Sequence, residues 1–334
     1  MNKFLPNNFD ALFVKKDILN NYSLNLEKNT INEIDNDQVL IKVSYSSLNY
    51  KDMLICLGNP GLVRKYPHIP GIDAAGIVMS SKSNNFKKGE KVMVVARPLG
   101  VKSHGGLAQY IKVHSDWVEK IPKNLTLKSS MIFGTAGFTA SLAIITLLKD
   151  QIKKNKKPIL VSGATGGVGI FAIYMLSKLG FAVSAVTTKR ESAFLKKMGA
   201  TEIISYREFN NFSNLPLLKI KYSAIIDNIG GNIIKFGSRQ LDHNGKILSI
   251  GMISGQNVEV NIMPFILRGV QLIGINSENT PPKLRKKVWK NIIKFSKDKK
   301  LESIYKECKL IEVSKIIKKI ELNKNVGRYI VKIV

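Results

Sequence analysis

One segment of the chain joins a short apolar strand, a glycine-rich turn and a helix in immediate succession. The apolar run Ile159–Ser162 leads into Gly163-Ala164-Thr165-Gly166-Gly167-Val168-Gly169, a helical pattern follows to Leu179, and a second β-type run covers Ala182–Val186. Backbone N–H groups at the start of such a helix bind anions, and the spaced glycines allow a pyrophosphate to come close. The segment therefore predicts a dinucleotide site, with an ordinary glycine turn as the alternative.

The residues after the second strand indicate which dinucleotide is bound. Thr187-Thr188-Lys189-Arg190 stands where an NAD site usually has Asp or Glu for the ribose hydroxyls. Hydroxyls and cations suit a 2′-phosphate, which a carboxylate would repel, so the segment predicts NADPH. The alternative is a solvated helix start with Glu191 as an acidic residue in its first turn.

Composition limits the cellular setting of the chain. Its 334 residues include two cysteines, Cys56 and Cys308, too few for a disulfide framework or a structural zinc cluster. This usage is typical of a reducing cytoplasm, which is the predicted location.

Met131–Leu148 carries no charge, but its Gly, Thr and Ser residues favour a buried turn and helix over a membrane span.

The net charge of +28 is the strongest departure from average composition. Such a charge steers anionic partners to a protein, and either nucleic acid or a coenzyme A thioester would qualify. The alternative is a lysine-rich composition without a functional meaning. The lysines are dispersed and no nucleic-acid-binding motif occurs, so we expect a small-molecule partner, no nucleic acid and no membrane.

The periodicity of apolar residues changes near Leu127. Before it, short alternating strands separated by turns predict a small barrel-like β domain, and after it helices alternate with strands, as in a doubly wound parallel sheet. Gly327–Val334 alternates again, so the tail is expected to return to the first domain. We predict an α/β fold with domains at residues 1–126, completed by 299–334, and 127–298. The predicted strands of the first domain are Gln38–Tyr45, Ala74–Met79, Lys91–Ala96 and Gln109–Val113.

Four local strings add a family resemblance to this layout: Ser46-Ser47-Leu48-Asn49-Tyr50-Lys51-Asp52, Pro70-Gly71-Ile72-Asp73, Gly134-Thr135-Ala136-Gly137-Phe138-Thr139-Ala140 and Met263-Pro264-Phe265-Ile266-Leu267-Arg268. They closely resemble the NADPH-dependent acrylyl-CoA reductase family of the medium-chain dehydrogenase/reductase superfamily. The resemblance implies a Rossmann domain, a GroES-like β-barrel catalytic domain and a homodimer. It also implies NADPH-dependent reduction of the C=C bond of acrylyl-CoA to propionyl-CoA, by hydride transfer to the β carbon. An NADPH:quinone oxidoreductase and a nucleotide- or RNA-binding protein of the same fold are the alternatives.

Two of these strings also indicate whether the chain could bind a catalytic zinc ion. Zinc alcohol dehydrogenases of the superfamily have a Cys ligand in the region of Asn49–Asp52 and a His ligand in the region of Pro70–Asp73. Neither segment contains Cys or His here, so the sequence predicts no metal.

The resemblance also implies a set of site residues. Tyr50 is the first candidate for catalysis, as a hydrogen-bond donor to the nicotinamide amide, the enolate oxygen or the α carbon, or else as a packing residue. Asn49 is an amide donor or a turn cap. Arg328 reaches the nicotinamide cleft or an acyl-CoA phosphate, or ends a turn. Cofactor contacts are expected from Thr165, Gly166, Gly167 and Val168 to the pyrophosphate, from Thr187, Thr188, Lys189 and Arg190 to the 2′-phosphate, and elsewhere from Tyr50, Tyr206, Met252, Ile266, Ser277 and Asn323.

Overall fold

A computed structural model of the chain describes residues 8–31, 33–150, 157–210 and 215–334, with only the backbone of Asp150. The chain divides into two compact units. Unit 1 comprises Met1–Thr135 and Ser296–Val334, and unit 2 comprises Ala136–Phe295. The sequence placed these boundaries at 126/127 and 298/299.

The N-terminal part of unit 1 consists mainly of antiparallel strands. β1 and β2 form a hairpin of their own, which the sequence did not predict, while the other strands belong to a larger sheet. The elements are β1 (Asn8–Lys16), β2 (Tyr22–Thr30), β3 (Gln38–Leu48), α1 (Tyr50–Cys56), β4 (Ala74–Ser81), β5 (Lys91–Val94), β6 (Tyr110–His114) and β7 (Glu119–Lys120).

A long apolar helix, α2 (Leu127–Leu147), leads from unit 1 into unit 2. Its backbone leaves the helical conformation at Gly134, where φ is 47° and ψ is −154°. Of the described residues, this is the one helix long and apolar enough to cross a membrane, but most of it is buried, as in the core helix of a folded domain.

Unit 2 is a six-stranded parallel sheet with intervening helices. Its strand order is β10-β9-β8-β11-β12-β13, which is the doubly wound arrangement, so the predicted fold class is confirmed. The central strand is apolar and fully buried because helices cover both faces of such a sheet. The elements are β8 (Ile159–Val161), α3 (Gly167–Lys178), β9 (Val183–Thr187), α4 (Ser192–Met198), β10 (Glu202–Ser205), α5 (Tyr206–Phe209), β11 (Tyr222–Asp227), α6 (Asn232–Ser238), β12 (Leu241–Ser249), α7 (Met263–Arg268), β13 (Gln271–Gly274) and α8 (Pro282–Ile293).

The tail of the chain returns to unit 1 as β14 (Tyr305–Lys309), α9 (Val313–Glu321) and β15 (Arg328–Lys332). The seven-stranded sheet then runs β14-β15-β3-β4-β5-β7, with β6 paired to β3. β15 lies antiparallel to β3, with Tyr329 opposite Leu48. This register brings the first residue of β15, Arg328, beside the end of β3 and the start of α1.

Candidate functional site

The carboxyl ends of β8 and β11 mark the point in unit 2 where the strand order reverses. Open α/β sheets bind their ligands in the crevice at this point. The Ser162 hydroxyl donates to Asp227 Oδ1 at 2.6 Å, and Asn228 Nδ2 donates to the Ser162 carbonyl at 2.8 Å. These bonds hold the two strand ends together beside the glycine loop.

The glycine loop has the geometry that a pyrophosphate needs. Gly166 is the N-cap of α3, whose first-turn N–H groups have no acceptor within the helix. A Cβ at Gly169 would lie 2.3 Å from the Gly163 carbonyl oxygen, so only glycine lets α3 pack this closely on the loop. Thr165 is buried, and Gly167 begins the helix. The predicted pyrophosphate residues therefore form a cradle that fits an anion.

The end of β9 places hydroxyls and cations in sequence. The Thr187 hydroxyl accepts the Lys189 N–H at 3.1 Å, while Thr188 and Arg190 are exposed. Burial lowers the pKa of the half-buried Lys189 ammonium, and the charge of Glu191 opposes this shift. Because a partly desolvated cation gains from an anionic partner, this segment fits the 2′-phosphate of NADPH.

The other predicted cofactor residues lie at scattered positions. Tyr206 begins α5 and lines a cavity of about 280 Å³. Met252 and Ile266 are exposed and Ser277 is half-buried, all within unit 2. Asn323 is exposed and follows α9 in unit 1, with a φ of 53°. Their contacts with a cofactor stay predictions.

In unit 1 a buried arginine organises the segment between β3 and α1. Arg328 is 2% exposed. Its Nη1 donates to Asn49 Oδ1 at 2.8 Å and to the Leu48 carbonyl at 3.0 Å, and its Nη2 donates to the Ser47 hydroxyl oxygen at 2.7 Å. Nη2 also lies 3.7 Å from Asp73 Oδ2. Burial lowers the pKa of Arg328, and the Asp73 charge opposes this shift.

The carboxylate of Asp73 is saturated with donors. Ser47 Oγ donates to its Oδ2 at 2.6 Å, and Asn49 Nδ2 donates to the same oxygen at 2.8 Å. Thr135 Oγ1 donates to Oδ1 at 2.6 Å. A Cβ at Gly134 would lie 2.5 Å from Asp73 Oδ2, so the glycine and its left-handed backbone leave room for this network.

A second carboxylate fixes the first turn of α1. Asp52 is fully buried, and its Oδ1 accepts the N–H groups of Gly71 at 3.1 Å and Ile72 at 2.9 Å. Its Oδ2 accepts the Asn49 N–H at 2.8 Å. Burial raises the pKa of Asp52 to about 7, against the opposing effect of these N–H donors. Tyr50, 44% exposed, is the first residue of the helix held in this way.

The structure brings two of the three predicted catalytic residues into contact. Asn49 bonds both Arg328 and Asp73, and Tyr50 follows it directly. Arg328 is buried, and its Nη1 and Nη2 donate to groups of unit 1, so its predicted contact with the nicotinamide cleft or an acyl-CoA phosphate stays a prediction. Sequence reasoning assigned no role to Asp73. The sequence feature that could have pointed to Asp73 is its position directly after the apolar turn Pro70–Ile72.

The oxygen atoms in these two segments do not fit a zinc ion. Both Asp52 and Asp73 use their carboxylate oxygens to accept hydrogen bonds, and Arg328 adds a positive charge beside Asp73. Within residues 8–31, 33–150, 157–210 and 215–334, no three His, Cys, Asp or Glu side chains are grouped as metal ligands.

Comparison with known proteins agrees with this architecture. Residues 35–123 match the family model described as the alcohol dehydrogenase GroES-like domain, and residues 167–297 match the one described as zinc-binding dehydrogenase. The acrylyl-CoA reductase AcuI of Ruegeria pomeroyi is 36% identical over 308 residues, covering 91% of this chain and 93% of that protein.

Two further relatives have known crystal structures. YhfP of Bacillus subtilis, a putative quinone oxidoreductase, is 38% identical over 97% of this chain and 99% of its own length. Its structure with NAD bound superposes with a TM-score of 0.92 over 98% of this chain and 100% of that chain. The yhdH oxidoreductase of Salmonella enterica in complex with NADP is 33% identical, with a TM-score of 0.92 over 97% of this chain and 100% of that chain. This chain is therefore an oxidoreductase that belongs to the medium-chain dehydrogenase/reductase superfamily and, within it, to the acrylyl-CoA reductase family.

Proposed function

We propose that this protein reduces the C=C bond of acrylyl-CoA to give propionyl-CoA, with NADPH as reductant and without a metal. The observation that supports a reaction without a metal is the commitment of the Asp52 and Asp73 oxygens to hydrogen bonds, in the two segments where zinc relatives have ligands. Without a Lewis acid, the acceptor carbon must already be electrophilic. The β carbon of an enoyl thioester meets this condition, and the AcuI relative supports this substrate.

The protein contributes orientation, charge stabilisation and a proton. NADPH supplies a hydride from nicotinamide C4 to the β carbon. Negative charge then develops on the thioester oxygen, and the α carbon takes a proton. Hydrogen-bond donors that point at this oxygen stabilise the enolate. Binding both reactants in the reactive orientation lowers the entropic cost of the step. The half-exposed Tyr50 hydroxyl is the proposed donor, to the thioester oxygen or to the α carbon.

Asn49, Arg328 and Asp73 act as positioning residues in this proposal. Their side chains bond one another inside unit 1 and hold the residue before Tyr50. A side chain whose backbone is held by a buried network loses less freedom when it bonds a substrate. The catalytic contact is therefore assigned to Tyr50 rather than to Arg328.

NADPH is proposed as the cofactor on the chemistry at the end of β9. Lys189 and Arg190 follow that strand directly, and the half-buried Lys189 favours an anionic partner. The relatives differ here, since yhdH is in complex with NADP and YhfP has NAD bound. Cofactor preference is therefore measured directly, with NADPH and NADH compared on the same substrate.

An NADPH:quinone oxidoreductase is the second candidate, because the 38% identical YhfP carries that putative assignment. A quinone also accepts hydride without a metal, so the site chemistry alone favours neither substrate. Electrostatics favour the thioester, since the chain's net charge of +28 attracts the phosphates of coenzyme A.

A substrate panel separates the two functions. Purified protein is given acrylyl-CoA, crotonyl-CoA, longer enoyl-CoA thioesters or quinones, each with NADPH and with NADH. We expect the largest kcat/KM with acrylyl-CoA and NADPH. Turnover of a quinone with none of acrylyl-CoA would assign the second function instead.

The remaining expectations for this protein stay predictions. β13 is an edge strand with an exposed Leu272, which suits the predicted homodimer. The cytoplasmic location also stays a prediction, as does the expectation of no nucleic-acid and no membrane partner.

A further inference from the structure

A cavity of about 470 Å³ lies in unit 1, between the β1–β2 hairpin and the segment that follows α1. Its size is within the range of small-molecule pockets, roughly 300–1,000 Å³. The walls include two cations, Lys16 and Arg64, and two aromatic rings, Tyr22 and Tyr66. Nothing in the reaction proposed above uses these four side chains.

The two tyrosines give the cavity an aromatic wall with an unused polar group. Their rings meet edge to face, with centroids 5.1 Å apart. The Tyr66 hydroxyl is buried and has no hydrogen-bond partner among the described residues. Burial also raises the pKa of Tyr66, so the hydroxyl remains a neutral donor. A ligand atom that accepts this proton, once the Tyr66 side chain turns its hydroxyl toward the cavity, would remove the penalty of an unpaired buried hydroxyl.

The two cations lack acidic partners in the part of the chain that the structure describes. Other lysines of the same hairpin are paired, since Lys15 bonds Glu27 at 2.7 Å and Lys28 bonds Asp10 at 2.7 Å.

Asp17, the acidic residue next to Lys16, bonds Asn21 rather than Lys16. Asp17 accepts the backbone N–H of Asn21 at 2.8 Å and its side-chain amide at 3.1 Å. Asp17 stays ionised and offsets one charge at most, so Lys16 and Arg64 together give the cavity a net positive charge next to two aromatic rings.

We propose that this cavity binds the phosphorylated adenosine end of the coenzyme A thioester. Arginine and lysine bind phosphate oxygens through charge-assisted bonds, and tyrosine rings offer faces on which a purine stacks. The proposal rests on the proposed function, because it assigns part of that substrate to a place on unit 1. NADPH also has a phosphorylated adenosine, but with the phosphate on the 2′-hydroxyl rather than the 3′-hydroxyl, which allows the two sources to be separated.

Direct binding is measured by titration calorimetry with adenosine 3′,5′-bisphosphate, in the presence of saturating NADP⁺. Lys16→Ala/Arg64→Ala should weaken binding by about 10- to 100-fold, the range for loss of charge-assisted hydrogen bonds. The matched control Lys82→Ala/Lys123→Ala removes the same charge from exposed positions of unit 1 that do not line the cavity, and should change binding less than about twofold.

Tyr66→Phe tests the unused hydroxyl separately. The substitution removes no hydrogen bond within the described chain, so the folded state should keep its stability while the bisphosphate binds several-fold more weakly. Equal weakening in the cavity and control variants would contradict the proposal, and so would equal affinity for adenosine 2′,5′-bisphosphate. Tighter binding of a single-stranded RNA than of the bisphosphate would also contradict it.

Steady-state kinetics connects the cavity to turnover. The cavity double variant should raise the KM for acrylyl-CoA about 10-fold with an unchanged kcat, and leave the KM for acrylyl-pantetheine, which lacks the nucleotide, unchanged. An unchanged KM for acrylyl-CoA in an active enzyme would overturn the cavity assignment alone. Failure of the wild type to reduce acrylyl-CoA would overturn the proposed function, and the calorimetric titration would still decide whether the cavity binds the bisphosphate.

Discussion

Arg328→Met should destabilise unit 1 strongly. The substitution keeps an unbranched apolar side chain but removes the donors to Ser47, Asn49 and the Leu48 carbonyl. It also removes the charge that lies 3.7 Å from the buried carboxylate of Asp73. Breaking a buried pair by deleting one partner typically costs about 3–5 kcal/mol of unfolding free energy. For a unit of this size, that corresponds to a fall in Tm of roughly 6–20 °C.

Urea denaturation followed by circular dichroism measures this loss. Lys332→Met is the matched control, because Lys332 is an exposed cation on the same strand. Its effect should stay within about 0.5 kcal/mol. An Arg328→Met free energy equally close to wild type would refute the claim that the network holds unit 1 together.

A double-mutant cycle separates the pair from its surroundings. Asp73→Asn alone leaves Arg328 charged and without the carboxylate that lies 3.7 Å from it, whereas Arg328→Met/Asp73→Asn removes both charges. The double variant should be more stable than the sum of the single effects predicts, with a coupling of about 1–3 kcal/mol. Strict additivity would mean that Arg328 and Asp73 stabilise the unit independently.

Three further predictions concern pH, cofactor and catalysis. Burial raises the pKa of Asp52 to about 7. Between its unfolded value of about 3.9 and that value, the folded state binds more protons, so the Asp52 contribution to unfolding free energy falls as the pH rises. In urea titrations at pH 5 and pH 8, the unfolding free energy should fall less between the two pH values in Asp52→Asn than in the wild type. Equal falls in the two proteins would contradict this. Lys189→Ala/Arg190→Ala should raise the KM for NADPH by the equivalent of about 1–3 kcal/mol and leave that for NADH nearly unchanged; unaltered discrimination would remove the 2′-phosphate assignment. Tyr50→Phe should lower kcat for acrylyl-CoA if the hydroxyl donates in the transition state, and an unaltered kcat would leave only a packing role.

The nucleotide-binding half of the molecule is predictable because its signals are local. Strand, glycine turn, helix and second strand follow one another between Ile159 and Thr187. Parallel strands joined by helices have a strongly preferred handedness, so a few such units limit the possible topologies. The first strand, predicted over Ile159–Ser162, is observed as Ile159–Val161, and the second, predicted over Ala182–Val186, is observed as Val183–Thr187.

The N-terminal hairpin carries a weaker signal, and its second strand was not predicted. β2 (Tyr22–Thr30) is mostly exposed and contains Asn25 and Asn29, a residue type with low β propensity. Its strand conformation comes from pairing with β1 along its whole length, in a register from Asn8 opposite Thr30 to Lys16 opposite Tyr22. Such pairing depends on another part of the chain, so the sequence of β2 alone does not reveal it.

The buried network could not be predicted because its members are distant in sequence. Arg328 and Leu48 are 280 positions apart and meet only because β15 pairs with β3. The strings around Asn49 and Asp73 were recognisable, but the role of Asp73 depends on which donors the fold brings to it. The burial of Arg328 depends on the same strand pairing, so the sequence around Gly327 did not reveal it.

Transfer of an isotopic label tests the proposed hydride chemistry most directly. The protein is supplied with acrylyl-CoA and NADPH deuterated on the transferred position of nicotinamide C4, and the product is examined by NMR. The proposed hydride transfer predicts propionyl-CoA with one deuterium on the β carbon, and, in D₂O with unlabelled NADPH, one deuterium on the α carbon. Product without label on the β carbon, or consumption of the deuterated cofactor by quinone alone, would contradict it.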